Sequence, residues 1–279
     1  MGSCFSKRKY KEPSIDRHTP LELMLFPPHV LQHIKENINK SNQSLSDSFD
    51  YEKTVDRHQN VTIMFIDIVN FTPLITNKDP LVITRFLHCL FRHIEDIKSN
   101  YPTITKVETI GDCIVFAEGI FSKEHNPLVM VEFAEAILDK LSKLTYNSKK
   151  IDVRIGIDIG EIGTCVIGSY APRLCIFGDT VVYASRLQSA GQPNEITCSE
   201  RFQNYITDKL IIKRLSEVSD KLNGSQFSED NLIRSRFSEK HENTEMKGLP
   251  PSTTYSYHHI ENNDGRISFE SFSKILEKH

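Results

Sequence analysis

The sequence predicts an α+β domain with a ferredoxin-like βαββαβ core, followed by added strands and helices toward the C-terminus. Between residues 61 and 169, strand and helix patterns follow the order strand, helix, strand, strand, helix, strand. A Gly-Asp pair separates the second and third strand patterns, which indicates a hairpin there. The 279 residues include 38% hydrophobic and 25% charged residues, a globular composition with ample material for a core.

The predicted core elements are read from apolar periodicity. Continuous β-branched runs indicate buried strands, and apolar residues at steps of three and four indicate amphipathic helices. The predictions in chain order are strand Val61–Ile68, helix Pro80–Asn100, strands Ile104–Thr109 and Cys113–Glu118 joined at Gly111-Asp112, helix Leu128–Leu144, and a strand pair Asp152–Gly160 and Gly163–Ser169.

After the core, the pattern predicts a helix, short strands and one polar excursion. Asp179 is the predicted N-cap of the helix, since a carboxylate there accepts from free backbone amides. The predictions are helix Asp179–Ala190, strand Glu195–Cys198, a helix starting at Ser199, a polar loop over Ser216–Glu245, and a last strand Thr253–His259.

Four segments are predicted: a basic tail 1–19, a helical segment and linker 20–56, a folded domain 57–260 and a tail 261–279. Pro20–Asn37 predicts two short helical pieces, and Lys40–Tyr51 predicts a polar linker. Ile260–Ser271 is similar to a calcium-binding loop but lacks its first Asp and its twelfth Glu. A turn leading into a short helix is therefore expected there.

The N-terminus predicts attachment to a membrane surface. Met1-Gly2-Ser3-Cys4-Phe5-Ser6 fits the pattern for myristoylation at Gly2, Cys4 is a second candidate acyl site, and four basic residues follow by position 11. One acyl chain binds a membrane only marginally, and a second chain or a basic patch makes the attachment stable. The predicted location is cytoplasmic, peripheral on the cytoplasmic face of a membrane.

Other patterns exclude several classes of protein. No stretch reaches the roughly 20 apolar residues of a spanning helix, and no secretory signal is present. The six cysteines form no C-x-x-C pair, which favours a reducing compartment over a zinc or redox site. The net charge of −3 argues against a nucleic-acid partner.

Two aspartates are predicted to meet at one edge of the sheet. In the ferredoxin-like order the third strand lies between the first and second and runs antiparallel to the first, so its start lies beside the end of the first. Asp67 ends the first strand pattern and Asp112 precedes the third. Mg²⁺ prefers such hard oxygen ligands, together with substrate phosphates.

Three segments closely resemble the class III nucleotide cyclase catalytic domain over roughly residues 61–260. They are residues 61–72 (VTIMFIDIVNFT), 106–112 (KVETIGD) and 175–186 (CIFGDTVVYASR). Residues 23–30 (LMLFPPHV) also resemble the segment that precedes this domain in many guanylyl cyclases. The resemblance implies attack of a ribose 3′-hydroxyl on the α-phosphate, release of pyrophosphate, and an active site shared by two subunits.

The resemblance also implies roles for individual residues. Two Mg²⁺ or Mn²⁺ ions are expected on Asp67, Asp112 and the carbonyl of Ile68, and Arg186 is expected to stabilise charge on the α-phosphate. Lys247, in Lys247-Gly248-Leu249, is similar to the family's triphosphate-binding lysine, although a surface lysine is the alternative interpretation.

Two positions favour GTP as the substrate. Glu108 and Cys175 match positions where guanylyl cyclases of the family carry Glu and Cys. A carboxylate is an acceptor suited to the N1 and N2 donors of guanine. The alternatives are a solvated strand residue for Glu108 and a core cysteine for Cys175.

Val182 departs from the family pattern, which has Asn four residues before the arginine. Valine cannot hydrogen-bond to the ribose, and losing one preorganised contact typically costs about 10²–10³ in rate. Three hypotheses follow: a guanylate cyclase acting as a homodimer or heterodimer, a weakly active or inactive subunit that binds nucleotide and heterodimerises, and a cyclase using ATP or a pyrimidine nucleotide.

Overall fold

A computed structural model describes residues 55–121, 125–146, 149–168, 173–207, 237–258 and 267–268. The chain forms two compact units. Of the described residues, the smaller unit holds 55–56, 165–168 and 173–175, and the larger unit holds the rest.

The described secondary structure alternates between strands and helices. The strands are β1 (Asp56–Ile68), β2 (Ile104–Ile110), β3 (Cys113–Glu118), β4 (Leu144–Tyr146), β5 (Lys149–Lys150), β6 (Val153–Ile167), β7 (Arg173–Phe177), β8 (Glu195–Ser199), β9 (Phe237–Thr244), β10 (Ser252–His258) and β11 (Ile267–Ser268). The helices are α1 (Phe71–Ile75), α2 (Pro80–Lys98), α3 (Leu128–Ser142), α4 (Asp179–Ala190) and helical residues 200–207, α5.

One mixed sheet organises the larger unit, in the order β2-β3-β1-β6-β8-β10-β9. The predicted position of β3 between β1 and β2 is confirmed. β1 and β3 pair antiparallel, with Ile66 opposite Ile114. Continuing that register by two residues brings Ile68, at the end of β1, opposite Asp112. Outside this order, β7 pairs with β6.

Both faces of the sheet are buried, which explains the continuous apolar run in β1. Met64, Ile66 and Ile68 point into the core shared with α2 and α3. Ile63 and Phe65 alternate with them and join a second cluster that includes Ala184 of α4. Because successive strand residues point to opposite faces, Asp67 lies on the α4 side of the sheet.

Helix α4 lies unusually close to β6, because Gly156 has no side chain. A Cβ atom on Gly156 would lie 2.1 Å from the backbone nitrogen of Gln188 and 2.3 Å from the carbonyl oxygen of Ala184. These are backbone atoms, so they cannot move without moving the helix. The glycine therefore determines the separation of α4 from the strand beneath it.

The predicted strand pair over residues 152–169 is wrong. Residues Val153–Ile167 form one continuous strand, β6, with no turn near Gly160. A Cβ on Gly160 would lie 2.6 Å from Thr180 Oγ1, and that hydroxyl donates to the carbonyl of Glu161 at 2.9 Å. Gly160 thus admits the start of α4 rather than making a turn.

The N-cap prediction is also wrong. Asp179 is the first residue of α4, and Gly178 precedes it with a φ of 135°. That φ belongs to the left-handed region, which favours glycine. The carboxylate of Asp179 lies instead in the first helical turn, where negative charge is favourable.

Other element boundaries differ from the predicted ones, because contacts between residues distant in sequence, and not apolar periodicity, stabilise those elements. The pattern missed α1 and β7, and Leu144 belongs to β4 rather than to α3. β9 lies within the predicted loop Ser216–Glu245, and polar cross-strand contacts hold it. Thr244 Oγ1 lies 2.7 Å from Thr254 Oγ1, and His241 Nε2 lies 2.8 Å from Ser256 Oγ. Because these paired residues are polar, β9 lacks the alternation of apolar and polar residues from which a strand is predicted.

Two residues of the C-terminal segment are described. Ile267 and Ser268, within the loop-like stretch Ile260–Ser271, form β11, which pairs parallel with β4. The remaining residues of that segment lie outside the described ones, as do Pro20–Asn37, Lys40–Tyr51 and the acylation sites Gly2 and Cys4. No described helix is both long and apolar enough to cross a membrane.

Candidate active site

Asp67 and Asp112 come together at the edge where β1 ends and β3 begins, as the strand order predicts. Their carboxyl groups share a hydrogen bond, and the backbone amide of Ile68 donates to Asp112. The side chain of Asp67 is about one-fifth exposed, at 22%. The two groups therefore face each other on a surface that solvent and ligands can reach.

Two donors hold one oxygen of Asp67. Arg154 Nη2 and Gln188 Nε2 each donate to Asp67 Oδ2 over 3.2 Å. Arg154 comes from β6 and Gln188 from α4, so Asp67 joins three elements. Sequence reasoning missed both residues. The only available signal was a charged residue within an apolar strand pattern, for Arg154, and proximity in sequence to Arg186, for Gln188.

The carboxyl group of Asp112 is harder to ionise than a carboxyl group in water. Burial, the charge of Asp67 and the hydrogen bond with Asp67 together raise the pKa of Asp112 to about 6. The neighbouring Cys113 thiol has its pKa raised to about 12 by burial and by both aspartates. Cys113 thus stays protonated at neutral pH, and negative charge is concentrated on the two carboxylates.

A divalent cation fits this pair by its donor chemistry. The carboxylates are hard oxygen donors, and a bound cation would oppose the burial and the like charge that raise the pKa of Asp112. Within the described residues, no group of three or more His, Cys, Asp or Glu side chains could hold a metal ion. Two carboxylates suit Mg²⁺, which keeps water and substrate phosphates among its ligands. The role of the Ile68 carbonyl stays a prediction.

Arg186 and Val182 lie one turn apart on α4. The Nε atom of Arg186 is inaccessible to solvent and has no hydrogen-bond partner among the described residues. Val182 is 45% exposed, although valine is apolar. Within the described residues, this helix therefore has one unpaired guanidinium nitrogen and one exposed valine a turn apart.

The three predicted substrate-binding residues lie on separate elements: β2, the turn between β9 and β10, and β7. Glu108 is exposed on the edge strand β2, and Lys247 is exposed in the turn between β9 and β10. No described hydrogen bond or ion pair links either residue to Asp67 or Asp112. Cys175 belongs to the smaller unit, where its thiol donates to the carbonyl of Arg173 over 3.7 Å. Their substrate contacts stay predictions.

Comparison with known proteins points to one family. The sequence profile of the adenylate and guanylate cyclase catalytic domain matches residues 54–227. A soluble guanylate cyclase, gcy-31 of Caenorhabditis elegans, is 34% identical over 157 residues, covering 55% of this chain and 22% of that protein. The receptor-type guanylate cyclase gcy-23 of the same organism is 33% identical over 199 residues, covering 70% and 16%. The chain thus spans about a fifth of these relatives.

Solved structures support the same fold. The guanylate cyclase domain of a rhodopsin–guanylyl cyclase from Catenaria anguillulae, solved with GTP, superposes with a TM-score of 0.57 and 24% identity, covering 74% of this chain and all of that one. The adenylyl cyclase CyaB of P. aeruginosa superposes with a TM-score of 0.58 and 20% identity, covering 76% and 99%.

Asp112→Asn should stabilise the metal-free protein at neutral pH. The folded-state pKa lies above the unfolded one, so the folded protein binds more protons between about pH 4 and pH 6, and its unfolding free energy falls as the pH rises through that range. Replacing the carboxylate removes this fall and is expected to add about 1 kcal/mol at pH 7.

Urea unfolding with a chelator at pH 4.5 and pH 7 measures the effect, and Asp96→Asn, an exposed carboxylate on α2, is the matched control. A lower unfolding free energy of Asp112→Asn at pH 7 would contradict the raised pKa of Asp112 in the folded protein.

Proposed function

The chain belongs to the adenylate and guanylate cyclase catalytic domain family, and we propose that it is a guanylate cyclase that converts GTP to 3′,5′-cyclic GMP and pyrophosphate. The observation that carries this proposal is the convergence of Asp67 and Asp112 beside α4, the helix that bears Arg186. The relatives with 33–34% identity named above are guanylate cyclases, which supports the choice of product.

Each residue has a stated part in the proposed reaction. Two Mg²⁺ or Mn²⁺ ions held by Asp67, Asp112 and the Ile68 carbonyl would lower the pKa of the 3′-hydroxyl and neutralise the triphosphate. Arg186, from α4, donates to the α-phosphate oxygens as negative charge builds up during attack. Lys247 binds the triphosphate as a point charge. None of these steps requires a covalent enzyme intermediate.

GTP selection rests on Glu108 and Cys175. Glu108 has an exposed carboxylate, which leaves its oxygens available to accept from guanine N1–H and N2–H₂. Adenine offers no such pair of donors on that edge. Adenine, cytosine and uracil each offer the carboxylate one donor group, N6–H₂, N4–H₂ or N3–H, instead of the adjacent pair that guanine offers.

We propose that two chains form the working site. Glu108 and its near neighbour Ile110 are exposed on β2, and Ile110 is 56% exposed. On α4 Val182 is exposed, and Phe177, just before that helix, is 51% exposed. Apolar side chains beside candidate substrate-binding groups are what an interface that covers the substrate requires.

Four separate assays test the activity. Purified protein with Mn²⁺ is incubated with GTP, ATP, CTP or UTP, and cyclic products are identified by mass. We expect cyclic GMP from GTP, and at least a 10²-fold loss of rate in Asp112→Ala because the metal loses a ligand. Asp96→Ala is the control and should retain activity. If no nucleotide gives a cyclic product, the protein alone is not a cyclase.

A second candidate function follows from Val182. An exposed valine where the family carries Asn favours a weakly active subunit that binds nucleotide and pairs with another cyclase chain. In that pairing the partner supplies the missing hydrogen bond to the ribose. The same chain could then be inactive alone and active in a mixed dimer.

Val182→Asn distinguishes the two candidates. If the missing amide limits a homodimer, the turnover rate should rise by about 10²-fold, because one preorganised contact is restored. Val82→Asn, at a similarly exposed valine on α2, should leave the rate unchanged. No gain in Val182→Asn, with activity appearing only when a second cyclase chain is added, would favour the heterodimer.

We also propose that acylation at Gly2 and Cys4, with the basic residues that follow, holds the protein on the cytoplasmic face of a membrane. Gly2→Ala removes the myristoylation site and should move most of the protein from the membrane to the soluble fraction of a eukaryotic cell. Ser3→Ala keeps Gly2 and should not. Equal partitioning of Gly2→Ala and the wild type would count against the proposal.

A further inference from the structure

Gln188 is a buried amide that contacts a proposed metal ligand. Its side chain is on the face of α4 that packs against the sheet, and the residue is only 6% exposed. The Nε2 atom donates to Asp67 Oδ2 over 3.2 Å, and the Oε1 atom lies 3.3 Å from Ser189 Oγ, which donates to it. The single Ser189 hydroxyl proton also reaches the carbonyl of Ser185 at 3.0 Å, so the orientation of the amide is set by the contact with Asp67, to which only the Nε2 end can donate.

Gln188 and Arg154 hold the same oxygen but differ in what they do to it. Arg154 is a cation, and its side chain is 29% exposed, so it can neutralise Asp67 and can move toward solvent. The amide of Gln188 is neutral and buried. It can orient the carboxylate while leaving its full negative charge for a bound cation.

The backbone of α4 packs directly against β6 at Gln188, the residue that holds Asp67. A Cβ on Gly156 would lie within 2.1 Å of the Gln188 backbone nitrogen, so the helix is in direct contact with β6 at that residue. Arg186 lies two residues earlier, about 3 Å along the helix axis. One turn of α4 therefore carries both the amide that holds Asp67 and the side chain of Arg186.

We propose that Gln188 is a positioning residue, whose amide presents Asp67 to the divalent cation and couples the metal site to the helix that carries Arg186. This inference rests on the proposed function, because it takes Asp67 as a metal ligand. Groups that orient metal ligands typically contribute 10- to 100-fold in metal affinity or activity.

Gln188→Met tests the inference, because methionine keeps the length of the side chain and removes the donor. Binding of Mn²⁺ alone to the full chain, measured from the electron paramagnetic resonance signal of free Mn²⁺, should weaken about tenfold. Asp67→Asn should lose binding, and Gln192→Met, the same change at an exposed glutamine just after α4, should bind like the wild type.

A second measurement separates positioning from general damage. In Gln188→Met the Mn²⁺ concentration for half-maximal cyclase activity should rise about tenfold, while the rate at saturating Mn²⁺ stays within a few-fold of the wild type. A folding defect would instead lower the saturating rate and the unfolding midpoint. If Gln188→Met does not fold, Gln188→Asn, whose amide is one methylene too short, should show the same weaker binding.

The outcomes distinguish this inference from the proposed function. Loss of Mn²⁺ binding in Asp67→Asn, with Gln188→Met within twofold of the wild type, would overturn the role of Gln188 alone. Equal binding by Asp67→Asn and the wild type would overturn the metal role of Asp67, and with it both proposals.

Discussion

The close approach of α4 to β6 at Gly156 is the constraint on which the candidate site depends. Any side chain at that position would meet backbone atoms of Ala184 and Gln188. Because the helix lies directly against the strand, Gln188 reaches Asp67 from one side and Arg154, on β6, reaches it from the other. The position of Arg186 follows from the same contact, since it is on the same helix. A single missing side chain thus lets an amide on α4 and a guanidinium group on β6 hold the same carboxylate.

The pair Asp67 and Asp112 lowers the stability of the metal-free protein and at the same time favours the binding of a cation. Burial first, and then the charge of Asp67 and the hydrogen bond with it, raise the pKa of Asp112 to about 6 in the absence of a cation. Nearby groups relieve this strain only in part, through Arg154, Gln188 and the backbone amide of Ile68. The remaining negative charge favours a hard divalent cation. A bound cation would offset the free-energy cost of holding the two carboxyl groups side by side in the folded protein.

In the proposed function one chain presents only part of the site, and the groups expected to complete it are exposed. Glu108, Lys247 and Val182 all lie at the surface, and no described contact joins Glu108 or Lys247 to the aspartates. Surface positions are where a second chain or a nucleotide can meet them. The proposed dimer and the proposed substrate therefore depend on the same surfaces. For that reason a substitution at Val182 is expected to affect both the proposed dimer and substrate binding.

The sequence by itself determined the order of the core elements and the pairing of Asp67 with Asp112. The apolar run of β1, the helical spacing of α2 and the Gly-Asp hairpin leave few topologies, and in the ferredoxin-like one those two aspartates must meet. Only the tertiary structure decided that β6 is continuous, that β9 is a strand, and that Arg154 and Gln188 hold Asp67. The physical reason is that these features rest on contacts between elements distant in sequence. A glycine in the sequence does not reveal whether it makes a turn or, like Gly160, gives room for a helix packed against it. Gln188 likewise fits no recognisable motif, and only the packing of α4 places its amide against a carboxylate.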